Sequence, residues 1–504
     1  MSAEECHRRL RAGLRIREAC FLDRLTKDIL NPPANPFARM LRAARIGESD
    51  IRRCVRTEGL ENTLRWLHAE GVYMSLEEFK GRRPVKRPGL GVHWGRSGLE
   101  AGPQRGGFSG TTGGSSGPPT ELRIGFDYLR RCGVGLGAAL AANDLLRTPL
   151  SLWLPAPPSP AGLLNCLLYA RMGLRLSRWF AHERPATPYH ALMTRGTRTV
   201  ARLLGHHLPA PEHMPVSRAD AVATFLAREV GRSGTSVLNT YVSTAVRVAR
   251  AARERGLSLA GVTFLTGSEP LTAGRREAIE SAGAQVVHTY WITELGLLGV
   301  ACTRCSSPPD RVHLLTHNMA VVQPEGGPSG RHPALCFTPL LAGQQPTVIN
   351  LEVGDTARLL RGSCDCELGA AGLNTFAHTV RSVRRVTAEG VTLATSDFAT
   401  LVDSILPAAF GGGPGDYQVV EEISSDAASV LIRVHPRLGR VETGEVIRLV
   451  RRHVRTRNPQ VAGILDGADA FRVQRKPPLL TPAGKLHPVL LRGETLSPAT
   501  PPGT

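Results

Sequence analysis

Lysine is almost absent from this sequence, aromatic residues are few, and long apolar runs do not occur. Only five of the 504 residues are lysine, so 57 arginines carry nearly all of the positive charge, and Phe, Trp and Tyr together make up 5%. No stretch approaches the ~18 uncharged apolar residues that a membrane-spanning helix needs. The first twenty residues carry charges where an apolar export signal would lie. We therefore expect a cytoplasmic protein that makes no membrane contact.

The remaining composition is that of a globular protein of several domains. Apolar residues make up 42% and charged residues 21%, which excludes a wholly disordered chain. The ten cysteines are too sparse for a disulfide scaffold, so thiols or metal ligands are expected. The formal net charge of +19 invites a nucleic-acid interpretation, but the arginines are dispersed rather than gathered in one stripe. That surplus can instead help to capture a phosphorylated cofactor or an acidic protein partner.

The order of helical and strand-like segments predicts an α/β fold with two domains. Residues 1–85 have apolar residues at helical spacing, and helices and strands alternate from about 121 to 380, which is typical of an α/β sheet. After residue 381 short strands and helices, including a helix predicted at 443–457, form a smaller α+β module, with a tail from about 492 predicted to be disordered. We predict a large domain over 1–380 and a small one over 381–504. The predicted segments of the middle region are helices at 126–143, 219–229, 240–255 and 273–281, and strands at 236–241, 261–267, 284–291 and 346–353.

Residues 108–118, with the sequence FSGTTGGSSGP, form the most informative stretch. Glycines let the backbone turn its N–H groups toward an anion, and Ser and Thr hydroxyls add hydrogen-bond donors without bulk. The GK[ST] ending of a Walker A loop is absent, so this is not a P-loop of that class. The alternative is a flexible Gly/Ser linker between domains.

Several further motifs follow the Gly-rich stretch, and the order of the whole set is informative. In chain order the motifs are FSGTTGGSSGPPT, GSEPL at 267–271, TYWITE at 289–294, Gly354-Asp355, Arg381 and Gly484-Lys485. This order makes the sequence similar to the adenylate-forming ligases, and most of all to their phenylacetate–CoA ligase-like branch, which the N-terminal runs at 35–51 and 71–87 also resemble. The resemblance implies that ATP activates a carboxylic acid as an acyl-adenylate and that a thiol, often that of coenzyme A, then displaces AMP.

The resemblance implies that the Gly-rich loop and the TYWITE motif together hold the triphosphate and magnesium. Thr293 matches the hydroxyl that bonds the α-phosphate, and Glu294 matches the carboxylate that binds Mg²⁺, a cation that prefers oxygen ligands. The alternative for this motif is a strand end followed by a helix, with Thr293 as the cap and Glu294 in the first turn. The residues that match the family's phosphate-binding loop, which contacts the β- and γ-phosphates, are Ser109, Gly110, Thr111, Thr112, Gly113 and Gly114.

Four further parts of the sequence match the contacts that the family makes with the nucleoside. Tyr290 matches the aromatic residue packed against adenine. Asp355 matches the carboxylate that bonds both ribose hydroxyls, for which an acceptor with two oxygens is suited; the alternative is a Gly-Asp turn between strands. Arg381 matches a second ribose contact at the hinge between the domains. The turn that matches the lining of the nucleotide pocket is Gly267, Ser268, Glu269 and Pro270, although Ser-Glu-Pro is also an ordinary turn sequence.

Lys485, in LLTPAGKLHPVL, matches the lysine of the small domain that the family uses in catalysis. Its ammonium is implied to bridge the substrate carboxylate and the α-phosphate, a task suited to a compact point charge. The alternative is an exposed lysine near the chain end. The resemblance further implies that the small domain swings Lys485 over the site and excludes water.

Close cysteine pairs predict a structural zinc site. Cys302 and Cys305 are separated by two residues, Cys364 and Cys366 by one, and His313 lies between the pairs. Four sulfurs, or three sulfurs and an imidazole, make a tetrahedral zinc site. The first ligand set is Cys302, Cys305, Cys364 and Cys366, and the second has His313 in place of the first cysteine. Unrelated buried thiols are the alternative.

Two departures from the family pattern bear on the substrate and the acceptor. Trp291 replaces the usual glycine after the tyrosine, which puts a bulky ring near the acyl pocket. The acidic pair expected after Arg381 at the hinge reads Val383 and Arg384. We expect a ligase that activates an organic acid with ATP and Mg²⁺ and passes it to coenzyme A, and we expect that acid to be aromatic. The alternatives are transfer to the phosphopantetheine of an acidic carrier protein or to an amine, and a degenerate nucleic-acid-binding or scaffold protein; the oligomeric state, a homodimer included, is left open.

Overall fold

The computed structural model describes most of the chain, with gaps. The described residues are 2–32, 35–81, 83–92, 107–111, 121–157, 159–184, 187–269, 271, 273–292, 294–304, 307–324, 334–341, 346–382, 385–388, 391–394, 398, 401–423, 428–457, 470–479 and 489–490.

Helices dominate the first eighty residues, as the sequence predicts, and then alternate with strands. The first helix continues into a π-helical turn over Leu25–Leu30, and the buried Arg24 near its end donates to the carbonyls of Leu341 and Pro346 at 2.8 and 2.7 Å. Burial lowers the pKa of Arg24 to about 10. The helices in chain order, α1 to α14, are Ala3–Arg24, Pro36–Ala43, Glu48–Glu58, Leu60–Ala69, Leu76–Phe79, Phe126–Ala142, Pro160–Arg171, Pro188–Leu203, Ala219–Ser233, Val242–Glu254, Ala273–Glu280, Glu367–Ala370, Leu406–Phe410 and Thr443–Arg457.

Strands within the described residues form one large sheet, one small sheet and three hairpin pairs. The strands in chain order, β1 to β23, are Met74–Ser75, Val85–Arg87, Leu90–Val92, Gly107–Thr111, Glu121–Gly125, Leu150–Trp153, Leu176–Ala181, Pro211–His213, Ser236–Tyr241, Val262–Gly267, Gln285–Ile292, Gly296–Val300, Val312–Leu314, Met319–Val322, Ala334–Pro339, Leu351–Arg361, Thr375–Ser382, Arg385–Ala388, Val391–Ala394, Tyr417–Ile423, Ala428–Val434, Phe471–Gln474 and Val489–Leu490.

The large sheet has thirteen strands, and its pairing changes direction at β11. From one edge the order is β14, β15, β16, β17, β13, β12, β11, β10, β9, β6, β7 and β8, and β1 pairs with β16 off this path. Every pair from β11 to β8 is parallel, whereas those from β11 to β14 are antiparallel. The inner parallel strands β6, β9 and β10 are buried along nearly their whole length, as expected of strands covered on both faces. Strand β11 is therefore where the two halves of the sheet meet.

Two predicted elements of the large sheet need correction. The strand predicted at 346–353 begins only at Leu351 and runs to Arg361, because Gly354, with φ of 79°, lets the strand continue where Gly-Asp suggested a turn. The helix that the alternative interpretation placed after TYWITE does not form. The chain instead turns back through Gly296, with φ of 93°, into the antiparallel strand β12.

The C-terminal part has its own four-stranded sheet, ordered β22, β21, β20 and β23. The helix α14, at residues 443–457, follows β21 as the apolar spacing of that segment predicts. Strand β17 remains in the large sheet up to Ser382, just past the predicted boundary at 380. This arrangement confirms an α/β fold with a smaller C-terminal domain. The tail from residue 491 lies outside the described residues.

Within the described part of the chain, no helix combines the length and the apolar character needed to cross a membrane. The longest, α1, carries charged residues throughout its length.

We expect Gly162→Ala to destabilise the protein. A Cβ at this position of α7 would lie 2.5 Å from the Pro155 carbonyl oxygen and 2.6 Å from Cε2 of the buried Trp179. Overpacking of this kind costs about 1–3 kcal/mol. The urea midpoint, followed by far-ultraviolet circular dichroism, should fall accordingly.

Gly196→Ala is the matched control, because Gly196 also lies in a helix, α8, and a Cβ there would contact nothing within 4 Å. This change should leave the midpoint unchanged or raise it, since alanine favours a helix over glycine by about 0.5–1 kcal/mol. Equal midpoints for the two variants would contradict the packing described at Gly162.

Candidate functional site

The side chains of Tyr290 and Asp355 are joined directly by a hydrogen bond. The Tyr290 hydroxyl donates to Oδ2 of Asp355 at 2.8 Å, and the ring is buried. Tyr290 lies near the end of β11, and Asp355 lies within β16 one residue after the kink at Gly354. The two residues that the resemblance assigns to adenine and to ribose are thus neighbours in space.

This contact requires the antiparallel half of the sheet to curl. Four steps separate β11 from β16 in the sheet order, which at a strand spacing of about 4.8 Å would put a flat sheet's strands about 19 Å apart. A tyrosine and an aspartate side chain cannot bridge that distance, even with the 2.8 Å hydrogen bond between them. Curvature between β11 and β16 therefore creates a concave face, and Tyr290 and Asp355 meet across it.

The turn after β10 packs tightly against the end of β11. A Cβ at Gly267 would lie 2.8 Å from Oγ1 of Thr289 and 3.5 Å from Cδ1 of Trp291, so only glycine fits. Thr289 in turn donates to the carbonyl of Thr266 at 2.8 Å. Ser268 has φ of 66°, a strained conformation for a residue with a side chain. The sequence correctly predicted a strand followed by a turn here.

Glu269 of the same turn faces the protein interior. Its side chain is fully buried and lies 3.7 Å from the guanidinium of Arg275, which is also fully buried in α11. An internal cation thus compensates this carboxylate, which favours a role in holding the turn. Pro270 lies outside the described residues.

Glu294 lies in the turn between β11 and β12 and is paired with a lysine from the N-terminal region. The ammonium of Lys80 is 2.9 Å from Oε1 of Glu294, and each side chain is only 5% exposed. The carboxylate that the resemblance assigns to Mg²⁺ is therefore already paired with a protein cation, and Mg²⁺ does not fit at Glu294 as this site is arranged. Sequence reasoning missed Lys80; the one available signal was the scarcity of lysine.

The turn that carries Glu294 packs on helix α6. A Cβ at Gly296 would lie 2.9 Å from Sγ of Cys132 and 3.3 Å from Cε2 of Tyr128, so this close approach also requires glycine. Burial raises the pKa of Tyr128 well above its usual value, and Cys132 and then Glu294 add to the rise. Since α6 directly follows the Gly-rich segment in the chain, Glu294 lies near the helix that this segment leads into.

The Gly-rich segment is anchored by an antiparallel hairpin. Strands β4 and β5 pair from Gly107 opposite Gly125 to Thr111 opposite Glu121, so the backbone of Ser109, Gly110 and Thr111 lies in β4. A paired hairpin is not what a flexible domain linker forms. Thr112, Gly113 and Gly114 lie beyond β4 and outside the described residues.

Other predicted residues are placed only by their backbone or not at all. Arg381 pairs with Thr356 across β16 and β17, next to the pair of Asp355 with Ser382, so it occupies the strand beside the predicted ribose carboxylate. Thr293, Lys485 and the hinge residues Val383 and Arg384 lie outside the described residues.

The chain on both sides of Lys485 is anchored to strand β20. The side chain of Gln418 donates to the carbonyl of Leu479 at 2.9 Å and accepts from its N–H at 2.7 Å. After Lys485 the chain returns as β23, in which Val489 and Leu490 pair with β20. The segment that carries Lys485 therefore starts and ends on the same strand of the small sheet.

Four of the five predicted zinc ligands come together. Sγ of Cys302 lies 3.5 Å from Nε2 of His313 and 3.7 Å from Sγ of Cys364, and Sγ of Cys366 lies 3.3 Å from Nε2 of His313. Their ligand atoms all lie within 4.8 Å of one another. Tetrahedral zinc with bonds of about 2.3 Å to sulfur and 2.0–2.1 Å to nitrogen requires S–S and S–N separations of about 3.8 and 3.5 Å.

The group combines residues that the two predicted ligand sets kept apart. Because β12 and β13 pair with Val300 opposite His313, the histidine lies beside Cys302 rather than replacing it. Nδ1 of His313 contacts the Leu373 carbonyl at 2.7 Å, which presents Nε2 to the cluster. Cys305 lies outside the described residues. The donor set and its spacing fit Zn²⁺.

No known protein-family model matches this chain, and no curated protein matches its sequence. Solved structures do resemble it. One is 2-hydroxyisobutyryl-CoA ligase in complex with 2-HIB-AMP and CoA in the thioesterification state, with a TM-score of 0.59 and 16% identity over 97% of this chain and 90% of the other.

Weaker likenesses include a malonyl-CoA ligase in a ternary product complex with methylmalonyl-CoA and AMP, at a TM-score of 0.45 and 14% identity over 73% of this chain and 70% of that one. The amide bond synthetase McbA from Marinactinospora thermotolerans has a TM-score of 0.44 and 14% identity over 96% and 98% of the two chains. At such low identities only the fold is shared, and it is the first likeness that establishes it. The chain therefore shares the fold of 2-hydroxyisobutyryl-CoA ligase, with a large α/β part followed by a smaller C-terminal domain.

Proposed function

We propose that this protein is an ATP-dependent acid–thiol ligase that converts an organic carboxylic acid to an acyl-adenylate and then to a thioester of coenzyme A. The observation that carries the proposal is the hydrogen bond between Tyr290 and Asp355 on the concave face of the sheet. It joins the two residues proposed to hold adenine and ribose, in a fold shared over nearly its whole length with an acyl-CoA ligase.

The described residues supply the nucleoside end of the site. Tyr290 is proposed to pack its ring against the base, while its hydroxyl donates a hydrogen bond to the Asp355 carboxylate. A carboxylate can accept from both ribose hydroxyls because it has two oxygens. Arg381, on the strand next to Asp355, is proposed to add a second ribose contact. These groups fix the nucleotide, and a fixed reactant loses little further entropy in the transition state.

The chemical steps use the opposite end of the nucleotide. An oxygen of the substrate carboxylate attacks the α-phosphorus, the bond to pyrophosphate breaks, and pyrophosphate leaves with its electron pair. The sulfur of coenzyme A then attacks the acyl carbon, AMP leaves, and the thiol proton passes to solvent. The proposed roles of Lys485, Thr293 and the Gly-rich loop (Ser109, Gly110, Thr111, Thr112, Gly113 and Gly114) are to stabilise negative charge on the phosphates during the first step.

We assign the chain to the phenylacetate–CoA ligase-like branch and its substrate to the aromatic acids. The support is the order of motifs in the sequence. Trp291, whose Cδ1 lies 3.5 Å from the place a Cβ would take at Gly267, is a large ring at the turn proposed to line the nucleotide. We propose that this ring also shortens the neighbouring acyl pocket, which favours a compact, flat acid over a long chain.

The cysteine–histidine group is proposed to hold one structural Zn²⁺ through Cys302, His313, Cys364 and Cys366. Four protein ligands close the coordination sphere, which is typical of structural rather than catalytic zinc. The site joins the end of β12, strand β13 and the loop before α12, and so fixes three separate segments.

The decisive experiment is exchange of radiolabelled pyrophosphate into ATP, run with a panel of carboxylic acids. We expect the wild-type protein to catalyse exchange with at least one aromatic acid and Lys485→Ala to lose about 10²-fold or more of the rate while still binding ATP, because the lost charge acts mainly in the transition state. Lys476→Ala, an exposed lysine of the same domain, is the control and should keep the activity. Formation of a thioester with free coenzyme A would separate this function from transfer to a carrier protein or an amine.

Asp355→Ala should weaken ATP binding by about tenfold to a hundredfold, since hydrogen bonds to a charged group are worth about 1.5–3 kcal/mol. Calorimetric titration with ATP measures this effect. Tyr290→Phe should weaken binding less, because the ring stays and only the hydroxyl that orients Asp355 is lost. Asp127→Ala, at an exposed position of α6, is the control. An Asp355→Ala protein with the affinity of the wild type would remove Asp355 from the nucleotide site.

Elemental analysis of the purified, dialysed protein should find about one zinc per chain. Cys364→Ser should lower both the zinc content and the thermal midpoint, because the four-ligand site then lacks a thiolate. Cys54→Ser changes a half-buried cysteine of α3 outside the cluster and should alter neither. Full zinc content in the Cys364→Ser protein would exclude the proposed ligand set.

A further inference from the structure

The pairing of Lys80 with Glu294 is a feature that the resemblance to the ligases does not account for. The resemblance expects Glu294 to face a divalent cation, yet its carboxylate lies 2.9 Å from the Lys80 ammonium, and both side chains are 5% exposed. Glutamate and lysine are rarely buried unless they are paired, because an isolated charge loses its hydration. The two groups are therefore mutual counter-ions at the turn between β11 and β12.

Lys80 is held at this place by a well-determined local structure. It is the C-cap residue of the short helix α5, and its N–H donates to the Leu76 carbonyl at 2.9 Å. At the start of α5, Ser75 and Glu78 form a reciprocal cap. Arg87 then holds Glu78 at 2.9 Å. A capped and cross-linked helix end of this kind leaves the lysine backbone little freedom.

Residues 74–80, which comprise β1, α5 and Lys80, form an N-terminal platform. This platform is attached to the nucleotide side of the proposed site. Strand β1, which leads into α5, pairs in parallel with β16, with Met74 opposite Leu351 and Ser75 opposite Glu352. The same strand β16 carries Asp355 three residues further on. The position of Lys80 relative to Glu294 is thus fixed through the strand that bears the proposed ribose carboxylate.

A divalent cation and the Lys80 ammonium cannot share Glu294 at low cost. Mg²⁺ binds carboxylate oxygens at about 2.0–2.1 Å, which would place it next to an ammonium nitrogen that is itself in contact with the same carboxylate. The two cations would repel each other in a buried setting where screening is weak. Moving the lysine away would in turn bury its charge without a partner or expose it.

We infer that Lys80 supplies at Glu294 the positive charge that a metal ion would otherwise supply, so that Glu294 is not a metal ligand in this protein. This inference rests on the proposed function, because it concerns the carboxylate beside the proposed phosphate site. Lys80 is then a positioning residue that fixes the Glu294 turn, and divalent cations reach the site only on the phosphates of ATP.

The test measures the affinity of Mn²⁺ for the full-length protein saturated with a non-hydrolysable ATP analogue, by electron paramagnetic resonance of the unbound ion. In the wild-type background Glu294→Gln should leave the Mn²⁺ affinity within about twofold, because no metal ligand is lost. Lys80→Met should strengthen it by about tenfold or more, because it uncovers a buried carboxylate that Mn²⁺ can bind. The double variant Lys80→Met/Glu294→Gln should return to the wild-type affinity.

Two further variants separate the metal effect from a loss of stability. Lys80→Arg keeps the charge and should keep the Mn²⁺ affinity of the wild type. Arg87→Met breaks the nearby buried pair with Glu78 and should lower the thermal midpoint, as Lys80→Met does, without changing the Mn²⁺ affinity. If Lys80→Met fails to fold, Glu294→Gln alone still decides, since it keeps a neutral group of the same shape beside the lysine.

Weaker Mn²⁺ binding in Glu294→Gln, by about tenfold, would overturn the inference, and so would a folded Lys80→Met protein with unchanged Mn²⁺ affinity. Binding of the analogue itself is measured first by calorimetry. A wild-type protein that does not bind it would refute the proposed function, and the inference with it. A protein that binds the analogue and loses Mn²⁺ with Glu294→Gln would refute the inference alone.

Discussion

The curl of the antiparallel half of the large sheet is the constraint on which the site depends. It brings β16 back across the sheet so that Asp355 accepts a hydrogen bond from Tyr290 of β11, although three strands lie between theirs in the sheet. Strand β16 also receives β1, and through β1 the platform that carries Lys80. One strand therefore positions groups from the N-terminal region and from the middle of the chain around the same concave face. A change in its register would displace all of them together.

Two carboxylates in the turns that follow β10 and β11 are compensated by cations within the protein. Glu269 lies beside Arg275, and Glu294 is paired with Lys80, and all four side chains are buried or nearly so. Such pairs contribute little net stability, because desolvation offsets their attraction, but the loss of one partner is expensive. They hold the turns after β10 and β11 in fixed positions. A site built on fixed turns needs little reorganisation when a highly charged ligand arrives.

The sequence predicted regular elements well where the pattern was strong and local. The strand predicted at 236–241 coincides with β9, because it is a short apolar run followed at once by a helical pattern. The helix predicted over the TGEVIRLVRRHVRTR segment coincides with α14, because its apolar residues recur at clear helical spacing. The strand at 346–353 was misplaced, because Gly354-Asp355 looks like a turn unless the pairing of β16 with both neighbours is known. Local sequence cannot contain that information.

The predicted site residues remain predictions, but the fold brings some of them together. Motif order selected Tyr290 and Asp355, which are hydrogen-bonded, and residue chemistry selected five candidates for zinc ligands. Which four of those come together depends on the register of β12 with β13, which only the fold fixes. Sequence reasoning missed Lys80, because its one signal was the scarcity of lysine and nothing near it in the chain indicates that Glu294 is its partner.

The scarcity of lysine has a chemical meaning for a protein proposed to make mixed anhydrides. An acyl-adenylate reacts with an unprotonated amine, whereas the delocalised guanidinium of arginine is a very poor nucleophile and stays protonated. By carrying its positive charge on 57 arginines and five lysines, the chain presents few side chains that could capture its own intermediate. Of these five, Lys80 is packed against Glu294 in a buried ion pair, which engages its ammonium group.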